Sequence, residues 1–229
     1  PTADPRDLDD ASHYLTAASA LALADAGISV RGGLRERSGL LVGTTSVSAS
    51  GAREFQRSIE ERKLSKCSVT AFSRMVLNAS AGSCSKLLSL RGPTSTVTTG
   101  AGSGLMAMVY AAEYVSFHHE VDLIVAGGVD AFGDIEATAR SDGAACIVFG
   151  RPALIPSGRP PGPLVAGWGI AGAGGVADAV EHALRMRGLK SCEVDLIVGA
   201  SESGLAGDMR AKLPRAIQRG RQLHGRVER

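Results

Sequence analysis

Residues 95–119, STVTTGAGSGLMAMVYAAEYVSFHH, constrain the fold more than any other stretch. Four of the first six residues are β-branched, which suits a pleated strand. Gly100, Gly102 and Gly104 then crowd one corner, and an apolar run at helical spacing follows. A strand turning through glycines into a buried helix belongs to an α/β layer, and such corners often hold chemistry. Yet the centre of this corner is Ala101, with no cysteine, histidine or carboxylate beside it.

The rest of the chain repeats the alternation. Residues 9–26 read as a helix stopped by Gly27. Residues 39–45 (GLLVGTT) and 121–133 (VDLIVAGGVDAFG) read as buried strands, and 144–150 (AACIVFG) as another. Residues 51–65 suggest a polar helix or loop, and 69–90 have helical apolar spacing up to the stop Arg91-Gly92-Pro93. After a Pro-rich loop at 151–163, residues 164–172 (LVAGWGIAG) read as a strand entering a glycine turn. An amphipathic helix at 176–189 and a strand at 194–200 follow. Near-continuous apolar strands between helices predict an α/β fold with a buried, mostly parallel sheet. The run EVDLIV occurs at 120–125 and again at 193–198, each time after a helix, which suggests two related halves.

Composition narrows the function classes. A net charge of +2 gives no footprint for nucleic acid. No apolar run reaches membrane-spanning length, and the opening residues lack a basic region followed by an apolar one. Cys67, Cys84, Cys146 and Cys192 are widely spaced, without a CxxC pair, so reduced thiols in a cytoplasmic protein are expected. Residues 209–229 hold seven Arg or Lys against one Glu and form a basic tail.

Three motifs compete with plainer readings. Gly167, Gly169 and Gly172 have GxGxxG spacing between a predicted strand and a helix, which suits a dinucleotide loop. With 29 glycines in 229 residues, however, such a match arises readily by chance. Ser103 lacks the flanking glycines of a hydrolase elbow, since Ala101 and Leu105 stand there, so it reads as a helix N-cap. His13, His118, His119, His182 and His224 show no metal spacing. His118-His119 suit the negative end of the preceding helix. No cofactor or metal is expected.

The segments VTAFSRMVLNASAG, RGPTSTVTTGAGSGLMAMVYAAEYV and VDLIVAGGVDAFG, with GLLVGTTS upstream, together resemble the β-ketoacyl synthase family of the thiolase fold. The likeness is dense over 9–133 and thins towards 208. It implies one thiolase-like, layered α-β-α domain over 1–229. Residues 1–150 would be its first half, 151–208 a shortened second half and 209–229 the tail.

In active members of that family the elbow residue is a cysteine, activated at a helix N-terminus. The resemblance places Ala101 in that slot and Ala200 in the slot of a catalytic histidine, if Asp208 ends the matching run. Covalent catalysis by this chain is then excluded. The further histidine segment of active members has no match, since His224 lacks its flanking pattern.

These losses resemble the chain-length factor of type II polyketide synthases, in short forms from systems making polyenes. The resemblance implies a subunit inactive alone within a 3-oxoacyl-[acyl-carrier-protein] synthase complex. Its partners would be an active ketosynthase and an acyl carrier protein, with no nucleic acid and no membrane. Thr96, Val97, Thr98, Thr99 and Asn78 would meet the partner. Phe72, Met75 and Ala79, sharing one face if 69–90 is one helix, would line the acyl tunnel. Two other readings stay open: a cysteine-less decarboxylase, and a thiolase-like module binding an acyl or nucleotide ligand.

Overall fold

The computed structural model describes residues 8–46, 49–62, 67–132, 142–160, 162–172 and 175–194. The chain divides into two units, Pro1–Pro161 and Gly162–Arg229.

The first unit opens with helix α1 (Asp10–Ala26). Asp9 Oδ1 accepts from the Ser12 amide at 3.0 Å, supplying one of the bonds that a helix start otherwise lacks. Gly27 takes a left-handed conformation, and the Gly27 and Ile28 amides close on the Ala24 and Leu23 carbonyls. Between these caps, Ser12, Leu15, Ser19 and Leu23 form a single buried stripe.

Among the described residues four strands make one sheet in the order β2-β1-β3-β4, with β1 at Ser38–Gly43, β2 at Thr94–Val97, β3 at Leu123–Asp130 and β4 at Gly143–Gly150. The β1–β2 and β1–β3 pairs are parallel, with Val42 opposite both Thr96 and Gly127. The β3–β4 pair is antiparallel. The expected mostly parallel sheet is therefore present, with one reversed edge strand.

The two-residue period sorts the strand side chains between two cores. Leu40, Val42, Leu123, Val125 and Val129 meet α1 and helix α4 (Ala79–Leu88) on one face. Leu41, Ile124 and Ala126 meet helix α5 (Ser103–Phe117) through Ala107 and Ala111 on the other. Helices on both faces explain why β1 is buried at all six positions. Helices α2 (Ala49–Arg62) and α3 (Val69–Arg74) precede α4.

Two expectations need correction. Residues 69–90 are not one helix: α3 ends at Met75, whose amide reaches back only to the Phe72 carbonyl, and α4 starts after Asn78. The cause lies in local bonding. Ser68 starts α3 by accepting from the Ala71 amide, and Asn78 takes a turn-like conformation (φ −91°, ψ 6°) that asparagine tolerates well. In the second unit, residues 164–172 form no strand. Gly167 and Gly169 instead lie so close to helix α6 (Val176–Arg185) that a methyl on either would strike the Ala183 or Ala179 carbonyl. The predicted strand at 194–200 lies outside the described residues except for Val194.

At the N-terminal end of β3, Asp122 accepts from Arg37 Nε at 2.5 Å and Arg37 Nη2 at 2.7 Å. Arg151 Nε stands 3.4 Å from the same carboxylate. The two arginines also donate to the His118, His119 and Val121 carbonyls, where α5 hands over to β3. The Arg37 hydrogen bond, opposed by partial burial and helped by the charges of Arg37 and Arg151, holds the Asp122 carboxyl below its ordinary value of 3.8. A depressed native value gives stability that is complete above the unfolded value and lost as pH falls through the native one. Asp122→Ala is therefore expected to lower the thermal midpoint at pH 7 by about 2–5 °C, a modest effect because Arg37 is well solvated. It should also flatten the loss of stability below about pH 4. Calorimetry across that range reads both.

Candidate functional site

The glycine corner lies at the C-terminal edge of the parallel strands, where open α/β sheets place their sites. Its geometry is tight. Gly100 has φ of 80°, a left-handed conformation that glycine adopts without strain. Gly102 caps α5, and Ser103 is the first helical residue rather than the cap that sequence suggested. The Ser103 side chain turns back into the corner instead. Its hydroxyl donates to the Gly100 carbonyl at 2.6 Å and accepts from the Thr99 amide at 2.9 Å. Ser103 is only 2% exposed, so this hydroxyl pins the corner and is no free nucleophile.

Two close approaches seat the corner on the sheet. A methyl on Gly43, at the end of β1, would overlap the Ser103 backbone. Gly104 faces Gly128 of β3, and a methyl on Gly104 would lie 3.3 Å from the Gly128 Cα. Beside them Asp130 Oδ1 accepts from the Thr45 amide at 2.7 Å and from Thr44 Oγ1 at 3.0 Å, tying the β1 and β3 ends together. Sequence reasoning did not single out Asp130 or Thr44; the only signal was an acidic residue directly after the Gly-Gly-Val end of β3.

Ala101 is exposed at the apex of this corner, just before Gly102, the cap of α5. The helix start is where a thiol would be activated. The Ala101 methyl group supplies neither a nucleophile nor a proton.

The other expected positions distribute as follows. Thr96 and Val97 end the edge strand β2, and Thr98 and Thr99 are exposed beyond it. Asn78 is exposed at the start of α4, which packs on β1 and β2. Phe72 lies on α3, Met75 caps it and Ala79 begins α4, so the break between the helices separates Ala79 from the other two. Phe72 is 51% exposed, and its ring meets Phe55 of α2 at a centroid distance of 5.4 Å. The sequence reading did not foresee Phe55. Ala200, Asp208 and His224 lie outside the described residues.

Several other reactive groups among the described residues are engaged by structure. Ser19 Oγ lies 3.5 Å from Cys146 Sγ and 3.6 Å from Cys84 Sγ. Burial pushes the Cys84 thiol up to about 11 and raises that of Cys146, leaving both as inert thiols at neutral pH. His118 stacks on Tyr114 at 4.6 Å and meets Glu120 at 3.1 Å, at the end of α5 remote from the corner. In the second unit the contacts of Gly167 and Gly169 with α6 account for two of the three GxGxxG glycines as packing positions. Among the described residues there is no cluster of metal-ligating side chains, and no helix is long and apolar enough to cross a membrane.

Comparison with known proteins accords with this geometry. Residues 2–148 match the model of the β-ketoacyl synthase N-terminal domain. No curated protein matches the sequence significantly. Among solved structures, the chain is similar to the ishigamide ketosynthase/chain length factor (TM-score 0.69, 21% identity, 95% of this chain and 68% of that one). It is also similar to the ketosynthase ApeO in complex with its chain length factor ApeC from Xenorhabdus doucetiae (TM-score 0.63, 17% identity, 93% and 62%). A third is a type II polyketide synthase acyl-carrier protein in complex with its ketosynthase bound to the hexaketide (TM-score 0.57, 18% identity, 65% and 48%). The chain thus spans between 48% and 68% of the length of these structures. At such identities the likeness speaks for a shared fold, and the matched domain covers well over half of the chain. With its strand–glycine–helix corner seated on a mostly parallel sheet, the chain has a thiolase-like fold and belongs to the β-ketoacyl synthase family.

Proposed function

We propose that this chain is a non-catalytic chain-length factor, which pairs with an active ketosynthase and shapes the tunnel holding the growing acyl chain. One observation carries the reading: the elbow is built in full, yet its apex is Ala101. Three glycines, a buried serine and two backbone-to-backbone contacts maintain a corner whose reactive atom is missing. A fold that keeps the corner without the thiol has a use for the shape rather than for the chemistry. Structural neighbours that are ketosynthases with a chain length factor, or with an acyl-carrier protein, support this choice.

The partner would load an acyl chain on its own cysteine and extend it with malonyl units from an acyl carrier protein. The assembly would be of the short, polyene-making or highly reducing kind. Thr96 to Thr99 and Asn78 would contribute to the interface, since β2 is the outer strand of the sheet. Phe72, Met75 and Ala79 would face the tunnel. The break between α3 and α4 moves the emphasis to Phe72, which is half-exposed and aromatic.

The test is product length. In the complex with its ketosynthase, Phe72→Ala is expected to lengthen the main product by at least one two-carbon unit, read by mass spectrometry. Unchanged products from an intact complex would remove Phe72 as the stop.

A further inference from the structure

We propose that Phe55 of α2 is a positioning residue for chain length: it fixes the Phe72 ring, and with it the point at which the acyl chain stops. The inference rests on the chain-length-factor reading above. Its physical basis is that α3 cannot hold its own direction. It has six residues, far fewer than a helix needs to persist alone in water. Whatever Phe72 does, the support of α3 must come from its surroundings.

That support is α2. Gly51, Glu54, Phe55 and Ser58 form one stripe of α2 at helical spacing, and each meets α3 or its cap. A methyl on Gly51 would lie 3.1 Å from Arg74 Cβ. Glu54 accepts from Arg74 Nη1 at 3.4 Å. Ser58 is buried; its hydroxyl accepts from the Ser68 amide at 3.1 Å and donates to the Phe55 carbonyl at 2.7 Å. The Ser68 hydroxyl in turn caps α3 through the Ala71 amide at 3.1 Å. The clasp thus holds the start of α3 by its backbone and its end through Arg74, and the Phe55 ring meets the Phe72 ring, tilted 55° against it.

On an otherwise polar helix, Phe55 and Ile59 are the only large apolar residues. With Phe72 half-exposed, removing the Phe55 ring frees it to turn aside while the backbone clasp stays.

The experiment uses the complex with the ketosynthase partner and compares products of wild type, Phe55→Ala, Phe72→Ala and the double variant. Phe55→Ala is expected to lengthen products in the same direction as Phe72→Ala, with turnover changed less than about threefold. The double variant should add nothing to Phe72→Ala, because both act through one ring. If Phe55→Ala fails to fold, Phe55→Leu is the readout, with an intermediate lengthening expected and wild-type products overturning the proposal. Wild-type products from Phe55→Ala beside longer ones from Phe72→Ala would also overturn it, and leave the chain-length-factor reading in place. Wild-type products from both variants would overturn the gate and the positioning role together. A wild-type chain that forms no complex would instead overturn the underlying reading, and this inference with it.

Discussion

Gly43→Ala is expected to remove much of the stability of the first unit. The added methyl would point at the backbone of Ser103 and Gly104, where no side chain can rotate away. The helix start cannot retreat freely either. The Ser103 hydroxyl is bonded to both Gly100 and Thr99, and Gly104 is seated against Gly128. Overpacking of a tight site costs typically about 1–3 kcal/mol, and a backbone-on-backbone clash falls at or above the upper end. Against a native stability of about 5–15 kcal/mol, this is a large share. Urea titration should therefore show a much lower midpoint, or no folded baseline. Gly102→Ala is the control, because its φ is −86° and nothing lies near its added methyl. It should cost less than about 1 kcal/mol. A wild-type midpoint for Gly43→Ala would contradict the close seating of α5 on β1.

The second large effect concerns the missing thiol. In the complex, replacing the nucleophilic cysteine of the ketosynthase partner by alanine is expected to reduce condensation by about 10³-fold or more, as loss of a covalent nucleophile does elsewhere. Ala101→Gly or Ala101→Ser in this chain should change it less than about twofold, since the methyl takes no part in the reaction. Radiolabelled acyl groups should appear on the partner alone. An acyl label carried by this chain, or condensation by the purified chain without a partner, would contradict the assignment of shape without chemistry. Ala101→Cys is not expected to restore activity to the chain alone, because the resemblance also puts an alanine, Ala200, where active members need a histidine.

Different parts of this picture were legible in the sequence to different degrees. The buried strands β1 and β3 were readable because both faces of the sheet are covered, which forces continuous apolar runs such as GLLVG and LIVAGGV. The end of α1 was readable from Gly27, whereas Asp9, read as helical, is its cap. The break between α3 and α4 was not, because Val69, Phe72, Val76 and Ala79 keep a helical rhythm across it. Only Ser68, whose hydroxyl bonds locally to the backbone, and Asn78, in a turn-like conformation, mark the places where the helices start. The GxGxxG spacing at 167–172 pointed towards a ligand because glycine serves two ends alike. It lets a phosphate approach, and it lets a helix approach, as α6 does here. Ser103 illustrates the same ambiguity: cap, nucleophile and corner pin all require a hydroxyl at one place, and only the distances to Gly100 and Thr99 separate them. The emptiness of the corner became meaningful only through resemblance, since composition and spacing do not say what an alanine has replaced.

A duplicated architecture was suggested by the repeat EVDLIV. The described residues carry a different echo. Both α1 and α6 are followed within three residues by a left-handed glycine, Gly27 and Gly188, and then by a one-turn 3₁₀ helix. The amides after each glycine close back in the same way, from Ile28 to Leu23 and from Leu189 to Leu184.

The most direct test of the central claim is co-expression of this chain with the ketosynthase encoded nearest to it, followed by size-exclusion chromatography and a malonyl-condensation assay on the peaks. The account expects a stable one-to-one complex that condenses malonyl units, while this chain alone condenses none. A chain that migrates without the ketosynthase and leaves its products unchanged would contradict the account.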